Sequence, residues 1–166
     1  MPSIISYLGI GSNLGDRLAN IKDAMGFLDS LSSVHIEKAS PIYETPPQGG
    51  PRNQPNYFNT AIKIETTLSP LDLLNQIKII EKRMKRKKGV RWGSRKIDLD
   101  VLFYGDFVLQ SKSLSVPHSL LHKRIFVLRP LFDIEPNLIH PLLGKNVSSL
   151  FRKYLHKNLR KVAVFN

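Results

Sequence analysis

Between Tyr57 and Met84 the hydrophobic period changes from two residues to about 3.6, and this switch constrains the fold more than any other feature of the chain. Over residues 57–66, Phe58, Thr60, Ile62 and Ile64 share one face of a strand, and Tyr57, Asn59 and Ala61 share the other. Ser69-Pro70-Leu71-Asp72 then starts a helix. Ser69 can cap it, Pro70 suits the first turn, and Asp72 stands at the capping-box position. Leu71, Leu74, Ile77 and Met84 are its expected buried stripe. The helix is expected to run into the basic segment 82–88 and stop by Gly89.

The same interleaving recurs on both sides. Residues 4–10 read as a strand, and Leu18, Ile21, Met25 and Leu28 follow at helical spacing. Residues 34–43 read as a second strand. Residues 96–104 read as another, with Gly105-Asp106 as a hairpin turn into 107–110. The remainder is punctuated by proline, and Asn146 can cap a last helix containing Leu150, Phe151 and Tyr154. Strands and helices alternate while at least one pair is a hairpin, so the expected fold is an α+β sandwich with a largely antiparallel sheet. Residues 45–56 hold four prolines and the pair Gly49-Gly50, a loop long enough to suggest a functional role.

The 166 residues suit a single domain spanning 1–166, and 42% hydrophobic residues suffice for a real core. The absence of cysteine excludes disulfides, thiolate metal sites and a cysteine nucleophile. The start lacks a basic, then apolar, leader pattern. No apolar run approaches the roughly 20 residues that span a bilayer. The expected setting is therefore cytoplasmic, without a membrane partner. A net charge of +12 points to a polyanionic partner, and alone does not choose between nucleotide, nucleic acid and a merely basic surface.

Asp98-Leu99-Asp100 is the sharpest chemical feature. On a strand, Ile97, Leu99, Val101 and Phe103 would face the core and the two carboxylates would stand side by side on the other face. Two such groups repel unless a cation lies between them. Hard oxygen ligands suit Mg²⁺, which takes one or two protein carboxylates and completes its shell with phosphate oxygens and water. Two harmless acids on a solvated face are the alternative. Arg91, Arg95 and Lys96, with Lys85, Arg86, Lys87 and Lys88 before them, surround the pair with the cations a polyphosphate needs. A basic helix end favoured by the helix dipole explains part of that run, but not Trp92 within it.

Other patterns fail. Gly9-Ile10-Gly11 is followed by Gly15, one residue late for a dinucleotide fingerprint. Gly144-Lys145 is followed by Asn146 and lacks the upstream glycine of a phosphate loop. His118 and His122 are four apart without the glutamate of a zinc protease.

The run Arg91-Trp92-Gly93-Ser94-Arg95-Lys96-Ile97-Asp98-Leu99-Asp100 resembles the signature of the 6-hydroxymethyl-7,8-dihydropterin pyrophosphokinases. Supporting stretches run along the chain: Gly11-Ser12-Asn13-Leu14-Gly15, Tyr43-Glu44-Thr45-Pro46-Pro47, Gln54-Pro55-Asn56-Tyr57-Phe58-Asn59, and Val116-Pro117-His118 with Arg124 and Phe126. The resemblance implies a ferredoxin-like α+β sandwich and transfer of diphosphate from ATP to the pterin hydroxymethyl group, with AMP as the other product. It implies a pair of Mg²⁺ ions on Asp98 and Asp100, with Arg86 and Arg95 beside them in the catalytic set. It implies a pterin slot made by Tyr57, Phe126, Asn59, Trp92 and the loop Thr45, Pro46, Pro47 and Gln48. For ATP it implies Glu81, Arg86, Lys88, Arg91, Trp92, Arg95, Ser115, His118 and Arg124. Small molecules are thus the expected partners, of a monomer that binds no nucleic acid.

The physics suits these roles: a flat pterin is held by aromatic faces, and its edge of donors and acceptors matches a side-chain amide. Core packing of Phe126 among Ile125, Val127 and Leu128, and a half-exposed strand position for Tyr57, are the plainer readings of those rings. The chain departs from the family pattern at Lys88, in place of an arginine, at Ser94, where proline is common, and at Ser113, where arginine is often found beside Lys112. Lysine brings charge without the bidentate fork. A basic RNA-binding module on the same sheet topology is the alternative function. It accounts for +12 but not for paired acids amid the basic face. A metal-dependent nuclease would also use the acid pair.

Overall fold

The computed structural model describes residues 2–84 and 95–165. In chain order the main elements are β1 (Ile4–Ser12), α1 (Arg17–Asp29), β2 (Val34–Ala39), β3 (Ile42–Thr45), β4 (Tyr57–Thr66), α2 (Pro70–Arg83) and β5 (Asp98–Tyr104). They are followed by β6 (Leu109–Gln110), β7 (Ser115–Val116), α3 (Ile125–Ile134), α4 (Val147–Phe151) and β8 (Arg160–Ala163). β1 lies between β4 and β5, antiparallel to both. β2 and β3 both pair with β4, and β8 extends β3. Every pairing in this six-stranded sheet is antiparallel, as expected.

Side-chain chemistry sets the helix starts. The Asp16 carboxylate accepts the Ala19 amide at 3.0 Å ahead of α1, and the Ser69 hydroxyl accepts the Asp72 amide at 3.2 Å ahead of α2. Ile21, Ala24 and Leu28 of α1, with Leu73, Ile77 and Ile80 of α2, bury one sheet face against Leu8, Ile10, Ile62, Ile64, Leu99 and Val101. The β1-α1-β2/β3-β4-α2-β5 order with these helices on one side is the ferredoxin-like arrangement. α3 and α4 cover the opposite face through Leu128, Leu131, Val147 and Phe151, packed on Tyr7, Ala61, Leu102 and Phe103. No helix among the described residues is long and apolar enough to cross a membrane.

Several local expectations are corrected. The strand expected over 34–43 is two strands, because Pro41 has no amide to continue the ladder. Buried Ser40 fills the break: its hydroxyl accepts the Ala61 amide at 3.0 Å and meets Thr60 Oγ1 at 2.9 Å. The buried stripe of α2 is Leu73, Ile77, Ile80 and Met84, a 4-3-4 spacing that leaves Leu71 half exposed and Leu74 at the margin. α2 ends at Arg83, and the rest of the expected helix lies outside the described residues.

On β5 the face pattern holds for Ile97, Leu99 and Val101 but not Phe103. A bulge opposite the Tyr7–Leu8 step inserts Leu102, so Leu102 and Phe103 both join the core under α3. Gly105-Asp106 turns the chain, but 107–110 does not return along β5; Leu109–Gln110 pairs with Ser115–Val116 instead. α3 was not legible as a helix. The Asn146-capped helix is α4, with Asn146 Oδ1 accepting the Ser149 amide at 2.8 Å. It is the last α-helix, as expected, but it ends at Phe151, so that Tyr154 falls in the 3-10 turn after it, and β8 follows.

Buried His140 is expected to make this fold acid-sensitive. His140 Nδ1 accepts the amides of Leu142 and Leu143, both at 3.2 Å, so its proton sits on Nε2. Burial, then the neighbouring His122, push its pKa below 6.5. Above about 6.5 the histidine is neutral folded or unfolded, and its contribution is intact. As pH falls below that, the unfolded chain takes a proton that the folded chain refuses, and stability is lost. Thermal unfolding at pH 7.5 and 5.5 should show the drop, and His140→Gln should shrink it.

Candidate active site

Two glycines shape the site. Gly9 and Gly11 stand on β1 with Ala61 and Asn59 of β4 opposite on one side, and Asp100 and Asp98 of β5 opposite on the other. Cross-strand partners share a face, so the missing side chains leave a trough along β1, walled by the Asn59 amide and the two carboxylates. Phe126 and Val127 from the first turn of α3, with His118 and Arg124, roof it, and Thr45, Pro46, Pro47 and Gln48 close one end. The result is a cavity of about 310 Å³, also lined by Tyr57, Arg95 and Leu102.

Twelve of the expected site residues therefore meet around one space: Thr45, Pro46, Pro47, Gln48, Tyr57, Asn59, Arg95, Asp98, Asp100, His118, Arg124 and Phe126. Two others are not on its wall. Glu81 is buried at the end of α2, where its carboxylate accepts the Leu99 amide at 3.4 Å, between the two aspartates. It touches the strand that carries them rather than the cavity. Ser115 pairs with Gln110 in the small second sheet. Arg86, Lys88, Arg91 and Trp92 lie outside the described residues.

Each wall is held from behind. Asn59 is 8% exposed, and its amide N–H donates to Thr45 Oγ1 at 2.7 Å, tying β4 to the base of the 45–56 loop. Arg17 clamps the other end of that loop: its guanidinium donates to the Asn56 carbonyl at 2.8 Å, pairs with Glu44 at 3.2 Å and lies 3.8 Å over the Phe58 ring. Asn13, fully buried, joins two segments. Its Oδ1 accepts the Arg95 amide at 2.7 Å, while its N–H groups donate to Gln54 and Pro55 at 3.3 and 3.2 Å. The sequence reading missed this joint and missed the trough. Two glycines two apart in a strand were the available signal for the trough.

His118 Nδ1 accepts the Leu120 amide at 3.2 Å, which leaves the proton on Nε2. Burial first, and the Arg124 cation second, hold its pKa below 6.5, against the opposing pull of Asp98. At neutral pH it is an uncharged donor. Arg124 has its guanidinium 5.5 Å from the Phe126 ring centre.

Asp98 and Asp100 are half-buried on one cavity wall, and no cluster of three or more His, Cys, Asp or Glu residues suited to a metal occurs among the described residues. That donor set fits Mg²⁺, which binds through one or two carboxylates and takes its remaining oxygens from phosphate and water. It does not fit zinc, which wants three or four protein ligands.

Residues 7–136 match the family model described as 7,8-dihydro-6-hydroxymethylpterin-pyrophosphokinase. The chain is 46% identical over 139 residues to the 2-amino-4-hydroxy-6-hydroxymethyldihydropteridine pyrophosphokinase of Aquifex aeolicus, covering 84% of this chain and 85% of that one. Folic acid synthesis protein fol1 of Pneumocystis carinii is 38% identical over 159 residues, which is 96% of this chain but 21% of the fungal protein. Among solved structures, wild-type Plasmodium falciparum HPPK-DHPS with pteroate superposes with a TM-score of 0.74 at 20% identity, over 92% of this chain and 42% of that one. This chain thus spans about a fifth of the fungal relative and under half of the plasmodial one, and the plasmodial likeness bears on the fold alone.

Proposed function

The chain belongs to the 7,8-dihydro-6-hydroxymethylpterin-pyrophosphokinase family and is an ATP-dependent diphosphotransferase of folate biosynthesis, and from that premise we propose how its residues divide the work. These relatives give no support to an RNA-binding module. The observation that carries the reading is one cavity that brings the Tyr57 and Phe126 rings and the Asn59 amide together with the paired carboxylates and the cations Arg95 and Arg124.

The pterin lies between Tyr57 and Phe126, with its edge on Asn59 and the backbone of Thr45 to Gln48. ATP directs its phosphates toward Asp98, Asp100, Arg95, His118 and Arg124. The hydroxymethyl oxygen attacks the β-phosphorus. A P–O bond forms there, the bond from the β-phosphorus to the α,β-bridging oxygen breaks, AMP leaves, and the hydroxyl proton passes to solvent. Two Mg²⁺ ions held by Asp98 and Asp100 would neutralise phosphate charge and polarise phosphoryl oxygens. The protein's own part is to position and to stabilise charge. Arg95 and Arg124 are cations for the phosphates, and neutral His118 donates its Nε2 proton in a hydrogen bond. Arg86, Lys88, Arg91 and Trp92 complete the nucleotide side, and Glu81 acts behind Leu99 rather than on ATP itself. Residues 1–166 act as one monomeric domain in the cytoplasm, with no nucleic-acid partner.

The test is AMP formation from ATP, with and without 6-hydroxymethyl-7,8-dihydropterin and Mg²⁺. AMP that requires all three is the expected result. ADP in its place would mean attack at the γ-phosphorus, and no pterin-dependent turnover by folded protein would overturn the reading.

A further inference from the structure

Polar side chains pin the C-terminal half of α3 to the sheet. At its C-terminal end the Lys38 ammonium donates to the Ile134 carbonyl at 3.4 Å, and Lys63 of β4 lies 3.8 Å from Glu135. Asp133, next to Ile134, and Arg129, one turn before Asp133, meet Tyr43 of β3. The Tyr43 hydroxyl accepts Arg129 Nε at 3.0 Å and donates to Asp133, whose other oxygen takes Arg129 Nη2 at 3.1 Å. The three groups close a polar ring around a tyrosine that is 2% exposed. The Arg129 guanidinium also lies 5.3 Å from the Tyr43 ring centre and 5.7 Å from that of Phe151 on α4.

Toward its start the helix is held by apolar packing, with Ile125, Val127 and Leu128 buried. Its start at Arg124 has no side-chain cap, and its first turn carries Phe126 and Val127 over the cavity. Pro130 has no N–H, so the Phe126 carbonyl lacks its ordinary helical donor. The cavity lies between this first turn and the β3–β4 face, and Arg129 of the Tyr43 ring stands about one turn behind Phe126. Tyr43 stands opposite Asn59 in register and two residues before Thr45, both on the cavity wall.

We propose that Tyr43, Arg129 and Asp133 are positioning residues that set the width of the aromatic slot by fixing how closely Phe126 approaches Tyr57. The inference rests on the reading that the pterin occupies this slot. Stacking is sensitive to such a gap: opening it by about 0.5–1 Å forfeits a quarter to a half of the dispersion attraction. The two carboxylates are carried by β5, on the far side of β1, while Arg124 stands at the start of α3 and would shift with it.

The experiment is steady-state kinetics of Tyr43→Phe in both substrates, with thermal unfolding alongside. The pterin KM should rise about tenfold, the worth of one net hydrogen bond, with the ATP KM raised no more than about threefold through Arg124 and kcat within about threefold. Asp133→Asn keeps an oxygen for the tyrosine hydroxyl and should fall between wild type and Tyr43→Phe. An unchanged pterin KM in Tyr43→Phe overturns the proposal, as does a parallel rise in both KM values, which is the mark of general loosening. Should Tyr43→Phe fail to fold, Arg129→Gln, at a partly exposed position, carries the same split and the same two overturning results. Phe126→Ala separates the two readings. If it raises the pterin KM while Tyr43→Phe does not, the slot stands and the pin falls. If it leaves the pterin KM at the wild-type value, the slot falls and the pin with it.

Discussion

Asp98→Ala and Asp100→Ala are each expected to cut pterin-dependent AMP formation about a thousandfold, the scale seen when one preorganised electrostatic group is removed from a transition state. The fold should survive either change. β5 is held to β1 by backbone pairing, and its core side chains Leu99 and Val101 point away from the carboxylates. A second readout is independent of turnover. Mg²⁺ that binds only the folded state raises the wild-type midpoint by mass action, and the shift should vanish in both variants. A wild-type rate in either variant would sink the metal assignment. Loss of rate in the variants with an intact Mg²⁺ shift would move the metal elsewhere and leave the aspartates in direct contact with substrate.

The legible parts of the fold were those where local chemistry and tertiary packing agree. The Tyr57–Thr66 alternation, the Ser69 cap and the Asn146 cap all stand in the structure, because each depends on neighbours within a turn or on one face of one strand. The misread parts depend on partners distant in sequence. Phe103 changes face because β1 tolerates a bulge at Tyr7–Leu8, which no pattern within β5 reveals. On the α2 stripe Ile77 and Met84 are buried as expected, but Leu71 and Leu74 are not: they are as apolar as Leu73, and only the position of the sheet selects Leu73. α3 was hidden by Pro130, which reads as a break and is instead buried within the helix.

For the site, the acid pair stands out through its spacing together with the basic residues around it, and the structure puts both carboxylates on the cavity wall. The pterin residues were named through resemblance, and for Phe126 periodicity alone favoured ordinary core. The structure puts Phe126 half-buried on the cavity roof, next to buried Val127. What no motif conveyed is the negative space. Gly9 and Gly11 looked like a failed fingerprint, yet their missing side chains create the trough that the aspartates and Asn59 face.

That trough gives the second large effect. Gly11→Ala should weaken pterin binding about as much as Asn59→Ala does, although residue 11 would make no polar contact with the ligand. A Cβ built at position 11 lies 2.7 Å from Asn59 Oδ1 and 3.4 Å from the Tyr57 ring. The first distance is one that real Cβ atoms do not sustain, so the amide must move. Asn59 is poorly placed to yield. It is nearly buried, and its N–H is engaged by Thr45 Oγ1. Turning the amide away breaks that bond and misaligns the group proposed to read the pterin edge. Keeping it in place forces β1 away from β4. A polar recognition site whose partner is misplaced loses affinity steeply, and about a hundredfold in pterin Kd is expected. Gly9→Ala is the control on the same strand face: its Cβ would sit 3.5 Å from Leu102, an ordinary contact, beside the phosphate end. Titration of the pterin into both variants, with an ATP analogue bound, measures the difference. A pterin Kd in Gly11→Ala within about threefold of wild type would mean that Asn59 does not read the edge from its present rotamer. Loss of pterin affinity in Gly11→Ala with ATP-analogue affinity retained would place the recognition group on the β4 wall of the trough, where the amide now stands.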